Sequence, residues 1–257
     1  MSPGRPVLLS LLVLAVGATT ADAFSFSVEP SRVQVAVPSG KRRGRTVQVD
    51  NSRSDAPVHL KLYVRDVIYR PDGTQEFPPG GSTEWSCASW LTMSPQELDV
   101  PAGQRADVRI SITVPEGQTG GHYAIVFFES TPTYVERGVG VNFRIGALIE
   151  VTVPHTEVYQ AKLVDVGLSA PHEASVEIFN EGNVLVRPKG KLKLFDAEGK
   201  RAALLELNPY AVGILPKTVR KFRVDLGSVT QGTYRLKAEV DYGTRYLLVG
   251  ERTVSIQ

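Results

Sequence analysis

Short runs in which apolar and polar residues alternate recur from residue 47 to the end of the chain. Residues 60–65 read LKLYVR and residues 108–114 read VRISITV, with every second side chain apolar. A period of two places successive side chains on opposite faces of a strand, so one face is buried and the other is wet. Turn-forming triplets separate the runs, as in Pro71-Asp72-Gly73. No amphipathic helix of useful length follows residue 23, so the pattern predicts an all-β fold.

The runs fall into two series. A chain of 257 residues suits one or two domains at about 100–200 residues each. Regular strand spacing and strong turn signals at residues 180–183 and 196–199 are typical of sandwiches of about seven strands. We predict two immunoglobulin-like β-sandwich domains, residues 24–154 and 155–257. In the second series the strand-like runs lie near residues 157–167, 174–180, 186–196, 218–225, 232–241 and 246–256.

The first residues have the pattern of an export signal. Arg5 precedes an almost wholly apolar run at residues 7–18, which is too short to span a bilayer with ease. Ala21-Asp22-Ala23 then places small residues where a signal peptidase reads them. We predict a signal peptide at residues 1–23, cleaved before Phe24; the alternative is an uncleaved N-terminal anchor. No later segment is apolar enough to cross a membrane, so the mature chain is expected outside the cytoplasm, without a transmembrane segment.

The charge and the reactive residues exclude several functions. A net charge of +2 indicates no nucleic-acid partner. Cys87 is the one cysteine, and no pair of the four histidines has metal-ligand spacing, so we predict no metal, no cofactor and no catalytic residue. Cys87 lies near two tryptophans and is expected to be a half-buried apolar filler. One basic cluster is either a solvated loop or a contact patch for an acidic surface: Lys41, Arg42, Arg43 and Arg45.

The longest alternating run covers residues 141–153. At ~3.3 Å per residue it would form a strand of about 43 Å, whereas most strands have about 3–10 residues. Either its first part is a loop end, or that part offers its apolar row to another protein by strand addition. The apolar positions are Val141, Phe143, Ile145, Ala147, Ile149, Val151 and Val153.

Several segments resemble the periplasmic pilus-assembly chaperones, the PapD-like family. Residues 31–35 (SRVQV) are similar to the family's first strand, and residues 47–51 (VQVDN) to its second, which ends in Asn. Ser94-Pro95, residues 100–104 (VPAGQ) and residues 108–110 (VRI) are similar to its middle segments, and residues 141–153 to its donor strand. The resemblance implies a boomerang of two immunoglobulin-like domains. It also implies capping of pilin-like subunits and delivery to an outer-membrane usher without ATP.

The resemblance also implies a binding site. The family anchors the subunit's terminal carboxylate with an Arg on the first strand, matched by Arg32, and a Lys on the donor strand. Glu150 stands at the second position, where a carboxylate would repel that terminus. Gly120-Gly121-His122-Tyr123 replaces the family's acidic-and-serine signature. The expected subunit-binding residues are Arg32, Val141, Phe143, Ile145, Ala147 and Ile149.

Two functions therefore remain. The first is a periplasmic chaperone for subunits of a pilus or another surface structure. The second is a non-enzymatic envelope adaptor that binds a surface polymer or protein through exposed loops such as residues 40–45. A chaperone should expose the row at residues 141–147, whereas an adaptor should bury it in its own core.

Overall fold

The computed structural model describes residues 26–257 except 53, 55, 132–134, 137, 138 and 141. This part of the chain is built of β-strands, and its one helical element is a single 3-10 turn at Ala88–Trp90. The predicted all-β class is thereby confirmed. No helix within the described ranges is long and apolar enough to cross a membrane. The predicted signal peptide, residues 1–23, lies outside the described residues.

The N-terminal domain is a sandwich of two sheets. A four-stranded sheet, β1-β3-β9-β7, faces a five-stranded sheet, β2-β13-β10-β4-β8, and two short hairpins, β5–β6 and β11–β12, complete the domain. The strands are β1 (Ser27–Glu29), β2 (Arg32–Ala36), β3 (Arg42–Asp50), β4 (Val58–Arg65), β5 (Ile68–Tyr69), β6 (Gln75–Glu76), β7 (Leu91–Ser94), β8 (Glu97–Val100), β9 (Arg105–Thr113), β10 (Gly120–Ser130), β11 (Val135–Glu136), β12 (Val139–Gly140) and β13 (Arg144–Val153).

Alternating residues form the core of this domain, as predicted. Val47 and Val49 of β3 and Ile110 and Ile112 of β9 are fully buried between the sheets. At about 25 cal/mol per Å² of apolar surface, each such side chain stabilises the fold by roughly 1.5–3 kcal/mol. The predicted turn at Pro71-Asp72-Gly73 is confirmed, since Gly73 has a φ of 97° that favours glycine.

The first strand is divided between the two sheets. β1 pairs antiparallel with residues 48–50 of β3. The chain then crosses at Pro30-Ser31, and β2 pairs in parallel with residues 148–152 of β13. One continuous segment therefore supplies a short edge strand to each sheet. β1 covers only part of β3, and β2 covers only part of β13.

The C-terminal domain is a seven-stranded sandwich, the number predicted. A three-stranded sheet, β14-β15-β18, faces a four-stranded sheet, β17-β16-β19-β20. The sequence patterns missed β17, because its residues, RAALLEL, include alanines and glutamate of low strand propensity. The strands are β14 (Ala161–Ala170), β15 (Glu173–Asn180), β16 (Lys189–Phe195), β17 (Arg201–Leu207), β18 (Val219–Asp225), β19 (Gly232–Asp241) and β20 (Leu247–Ile256).

Direct contacts join the two sandwiches. The Leu185 amide donates a hydrogen bond to the Tyr123 hydroxyl at 2.5 Å, and the Gly121 amide donates to the Asn183 carbonyl at 2.8 Å. Tyr123 also packs with Leu215 in a small apolar cluster of its own. The predicted boundary at residues 154 and 155 stays a prediction; it falls in the connection between β13 and β14.

Candidate functional site

Part of β13 has an edge that no described strand covers. The Ser130 amide donates to the Phe143 carbonyl at 2.8 Å, so the odd-numbered residues of β13 bond to β10. The Leu148 amide donates to the Ser31 carbonyl at 2.9 Å, so the even-numbered residues face the other way, toward β2. Because β2 covers only residues 148–152, Arg144 and Gly146 direct their main-chain groups to an uncovered side. We call residues 144–147 the open edge.

The apolar row beside the open edge is exposed at one end only. The Phe143 side chain is 42% exposed, and Ile145 is half-buried against the core. Ala147 and Ile149 are fully buried within the same core. Among the described residues the row is therefore exposed only as far as Ile145, because the two sheets close over it beyond that residue, so the exposure expected of a chaperone is met in part. Val141 lies outside the described residues.

A groove of about 510 Å³ runs along the outer face of β13. Gly146 and Leu148 form its floor, Tyr69 and Phe77 contribute to its wall, and Arg32 lies at its rim. A Cβ atom at Gly146 would lie 2.4 Å from Ile125 Cδ1, so a larger residue there would displace the end of that side chain. The groove therefore connects the open edge with the basic side chain of Arg32.

Arg32 belongs to a charged cluster that spans both domains. Its Nε atom lies 3.4 Å from Oε1 of Glu150, whose side chain is only 7% exposed. Gln34 Nε2 donates to Oε2 of the same carboxylate at 2.9 Å, and Arg187 from the C-terminal domain hydrogen-bonds Oε1. Two guanidiniums around one carboxylate leave one uncompensated positive charge. The repulsion expected from Glu150 is thus offset by Arg187.

Tyr69, a half-buried tyrosine beside this cluster, responds to the same charges. Burial, and then the charge of Glu150, raise the pKa of Tyr69, while Arg32, Arg187 and Arg220 lower it. The phenol therefore stays neutral and forms an apolar wall beside the cations. Sequence reasoning found Arg32 but missed Arg187 and Tyr69, because both are distant in sequence from Glu150 and neither belongs to a local motif.

The basic cluster lies on a strand instead of a loop. Arg42, Arg43 and Arg45 occupy the first half of β3, which pairs with β9, and Lys41 immediately precedes it. All four side chains are exposed. The solvated-loop interpretation is therefore wrong about the local structure. The core part of β3 begins at Val47, but the strand itself already begins at Arg42.

Cys87 and His122 both lie in packed surroundings. Cys87 is fully buried instead of half-buried, and burial, followed by the charge of Asp66, raises the pKa of its thiol. The His122 ring packs against Trp90 at a tilt of 48°, with the ring centroids 4.2 Å apart, and its Nε2 hydrogen-bonds the Thr119 carbonyl. Among the described residues, no three His, Cys, Asp or Glu side chains are grouped to hold a metal ion.

Comparison with known proteins supports the fold. No family model and no curated protein sequence matches the chain. Among solved structures, the class 5 fimbriae chaperone CfaA matches with a TM-score of 0.51 and 18% identity, over 89% of this chain and 99% of that one. The chain has the fold of a fimbrial chaperone. A chain from a chaperone–tip adhesin complex of CFA/I fimbriae biogenesis matches with a TM-score of 0.50 and 17% identity, over 90% and 98%. The predicted resemblance to pilus-assembly chaperones is thus confirmed at the level of the fold.

Proposed function

We propose that this protein is a non-enzymatic periplasmic chaperone that binds subunits of a pilus or another surface structure by strand addition. The observation that carries the proposal is the open edge of β13, beside the half-exposed Phe143, in a fold shared with fimbrial chaperones. An uncovered edge supplies main-chain donors and acceptors, and an adjacent apolar side chain supplies specificity.

In this mechanism a subunit strand pairs with the open edge. The main-chain groups of Arg144 and Gly146 form the new ladder, and Phe143 and Ile145 fill the subunit's apolar groove. Val141 would extend the contact by one more apolar position. Ala147 and Ile149, which lie in the chaperone's own core, hold the strand in place instead of being donated. The capped subunit would then pass to an outer-membrane usher without ATP.

The charged cluster supports a second contact. Arg32 is half-exposed at the rim of the groove, and the net positive charge of Arg32, Arg187 and Glu150 favours one more carboxylate. A subunit terminus seated there would fix the register of the added strand. The second guanidinium comes from Arg187 in the C-terminal domain, so binding at this point would engage both sandwiches.

The proposal is tested by isolating the tagged protein from the periplasm and identifying what accompanies it. Co-purified pilin-like subunits should be lost when Phe143 and Ile145 are both changed to Asp. The matched control is Leu247→Asp with Val249→Asp, which places the same two charges at exposed alternate positions of the edge strand β20. Phe143→Asp alone is the milder variant, because that side chain is already 42% exposed.

The outcomes separate the proposal from its alternative. Loss of subunits in the first variant and retention in the control would support a chaperone. An absence of subunits, with the folded variant unchanged in its contacts, would instead favour an envelope adaptor. The burial of Ala147 and the exposure of the cations at residues 41–45 are the observations that favour that second function.

A further inference from the structure

A second uncovered edge lies on β3. The Lys41 carbonyl accepts from the Val114 amide at 3.0 Å, and the Asn51 amide donates to the Gln104 carbonyl at 2.9 Å. The odd-numbered residues of β3 therefore bond to β9, and the even-numbered ones face the opposite side. β1 covers that side only at residues 48–50. Residues 42–47, which we call the basic edge, have no second strand beside them in the part of the chain that the structure describes.

The main-chain groups at the basic edge belong to Arg42, Gly44 and Thr46. Their amides and carbonyls alternate along about 20 Å of strand, the length of an ordinary β-pairing. Arg45 Nη1 donates to the Gly44 carbonyl at 2.9 Å, so a cation already lies on this ladder. An anionic group on an incoming strand would attract that guanidinium and leave the carbonyl available for pairing.

Cations flank the basic edge on both faces of the sheet. Alternation places Arg43 and Arg45 on the same face as the buried Val47. Arg42 lies on the opposite face, where the Arg109 guanidinium extends across Gly44 at 3.4 Å from its ideal Cβ position. None of these four arginines has a carboxylate within 4 Å among the described side chains.

The nearby carboxylates are engaged elsewhere or lie at the ends of the edge. Asp107 accepts a hydrogen bond from Gln48 beyond one end, and Glu116 lies against Gly40 beyond the other. The positive charge between them is therefore local, because the whole chain carries only +2. A strand that paired here would place its side chains beside guanidiniums on both faces.

We propose that the basic edge is a second strand-addition site, which binds an extended acidic segment of a partner protein. Main-chain pairing supplies the affinity, and the arginines select the partner by charge. The same cations repel basic strands, and charged edge residues guard against unwanted edge pairing in other sheets. This site is separate from the open edge of β13, and its partner is recognised by charge instead of by an apolar row.

The test measures binding of a fluorescent synthetic peptide of about ten residues that alternates glutamate with valine. Arg42→Glu, Arg43→Glu and Arg45→Glu together should weaken binding at least about tenfold. The matched control, Lys189→Glu with Lys191→Glu and Arg201→Glu, makes the same charge change at exposed positions of the C-terminal domain. Thr46→Pro should abolish binding, because it removes an outward amide, whereas Thr46→Ala should leave it unchanged.

A second peptide of the same sequence, N-methylated at every backbone amide, keeps the charge but cannot donate to the ladder, and it should not bind. Amide hydrogen exchange at Arg42, Gly44 and Thr46 should slow only with the first peptide. Equal binding of the two peptides, or no difference between Thr46→Pro and Thr46→Ala, would show a charge patch that takes any polyanion and would overturn the proposal. So would an alternating acidic peptide that fails to bind. Phe143→Asp should leave peptide binding intact, which separates this result from the subunit test.

Discussion

Arg187 of the C-terminal domain hydrogen-bonds Oε1 of Glu150 on the last strand of the N-terminal domain. The Glu150 side chain is 7% exposed and that of Arg187 is 23% exposed, so water screens the pair only in part. Arg32 and Gln34 approach the same carboxylate from β2. One buried carboxylate thus ties together the divided first strand, β13 and the second domain.

Removal of Arg187 should destabilise the protein. Arg187→Met is expected to lower the free energy of unfolding by about 1–2 kcal/mol, less than for a fully buried pair, because Arg32 still faces Glu150. Glu150→Gln should reduce that cost, so the double variant should be more stable than the sum of the single effects predicts, by about 1 kcal/mol. Urea unfolding of the four proteins measures the coupling. Strictly additive effects would show that the contact does not contribute.

The two ends of the apolar row on β13 should differ in what they contribute. We expect Phe143 to contribute to binding and Ile149 to contribute to stability. Ile149→Ala should lower the free energy of unfolding by about 2–5 kcal/mol, because the side chain is fully buried. Phe143→Ala should cost about 1 kcal/mol or less, since that ring is already 42% exposed. Chemical denaturation of the two variants is the measurement. Similar losses would contradict the boundary placed at Ile145.

Acid should destabilise the N-terminal domain through His122. Burial lowers the pKa of His122 below its ordinary value of 6.5. Below about pH 6.5 the unfolded chain takes up a proton that the folded one refuses, so stability falls as the pH drops toward the lowered folded-state pKa. The loss should approach about 1.4 kcal/mol per pH unit in that window.

The urea midpoints of unfolding at pH 7.5 and pH 5.5 measure this loss of stability. His122→Gln should lose less stability on acidification than the wild type, while its amide can still bond the Thr119 carbonyl. His172→Gln, at an exposed position, should behave as the wild type does. An unchanged pH dependence in His122→Gln would assign the acid sensitivity to other groups.

The Tyr123 hydroxyl should contribute to the contact between the domains. Tyr123→Phe leaves the Leu185 amide without its acceptor, which should lower the free energy of unfolding by about 1–2 kcal/mol. Tyr210→Phe removes a hydroxyl from a side chain that is 89% exposed and should have an effect within about 0.5 kcal/mol. Thermal unfolding of both variants provides the comparison. Equal melting temperatures for the two would contradict a role for the hydroxyl.

The strand positions could be predicted because a strand with one face buried in a sandwich alternates apolar and polar residues along the sequence. Residues 108–114 show it clearly, and they form most of β9 and the residue that follows it. β17 was not predicted, because an edge strand needs little alternation of apolar and polar residues and because its alanines and leucines are not typical of strands. The turn that begins at Asn180 was also predictable, and the side-chain amide of Asn180 stabilises it by donating to the Val184 and Ile214 carbonyls.

The site was less predictable, because its geometry depends on contacts between distant segments. Periodicity shows which side chains of β13 share a face, but only the position of the facing sheet decides that Ala147 is buried and Phe143 is not. In the same way, Glu150 is read as repulsive from the sequence because it stands where the resembled family carries a donor-strand Lys. Arg187, which reverses that conclusion, comes from another domain.

The division of the first strand at Pro30-Ser31 couples the two uncovered edges. The segment has a fixed length, so what it covers on one sheet it leaves bare on the other. A crossing two residues later would extend β1 over Thr46 and Val47 and would release Leu148 and Ile149 from β2. The position of this one crossing therefore sets the lengths of both uncovered edges at once, and one edge can lengthen only if the other shortens.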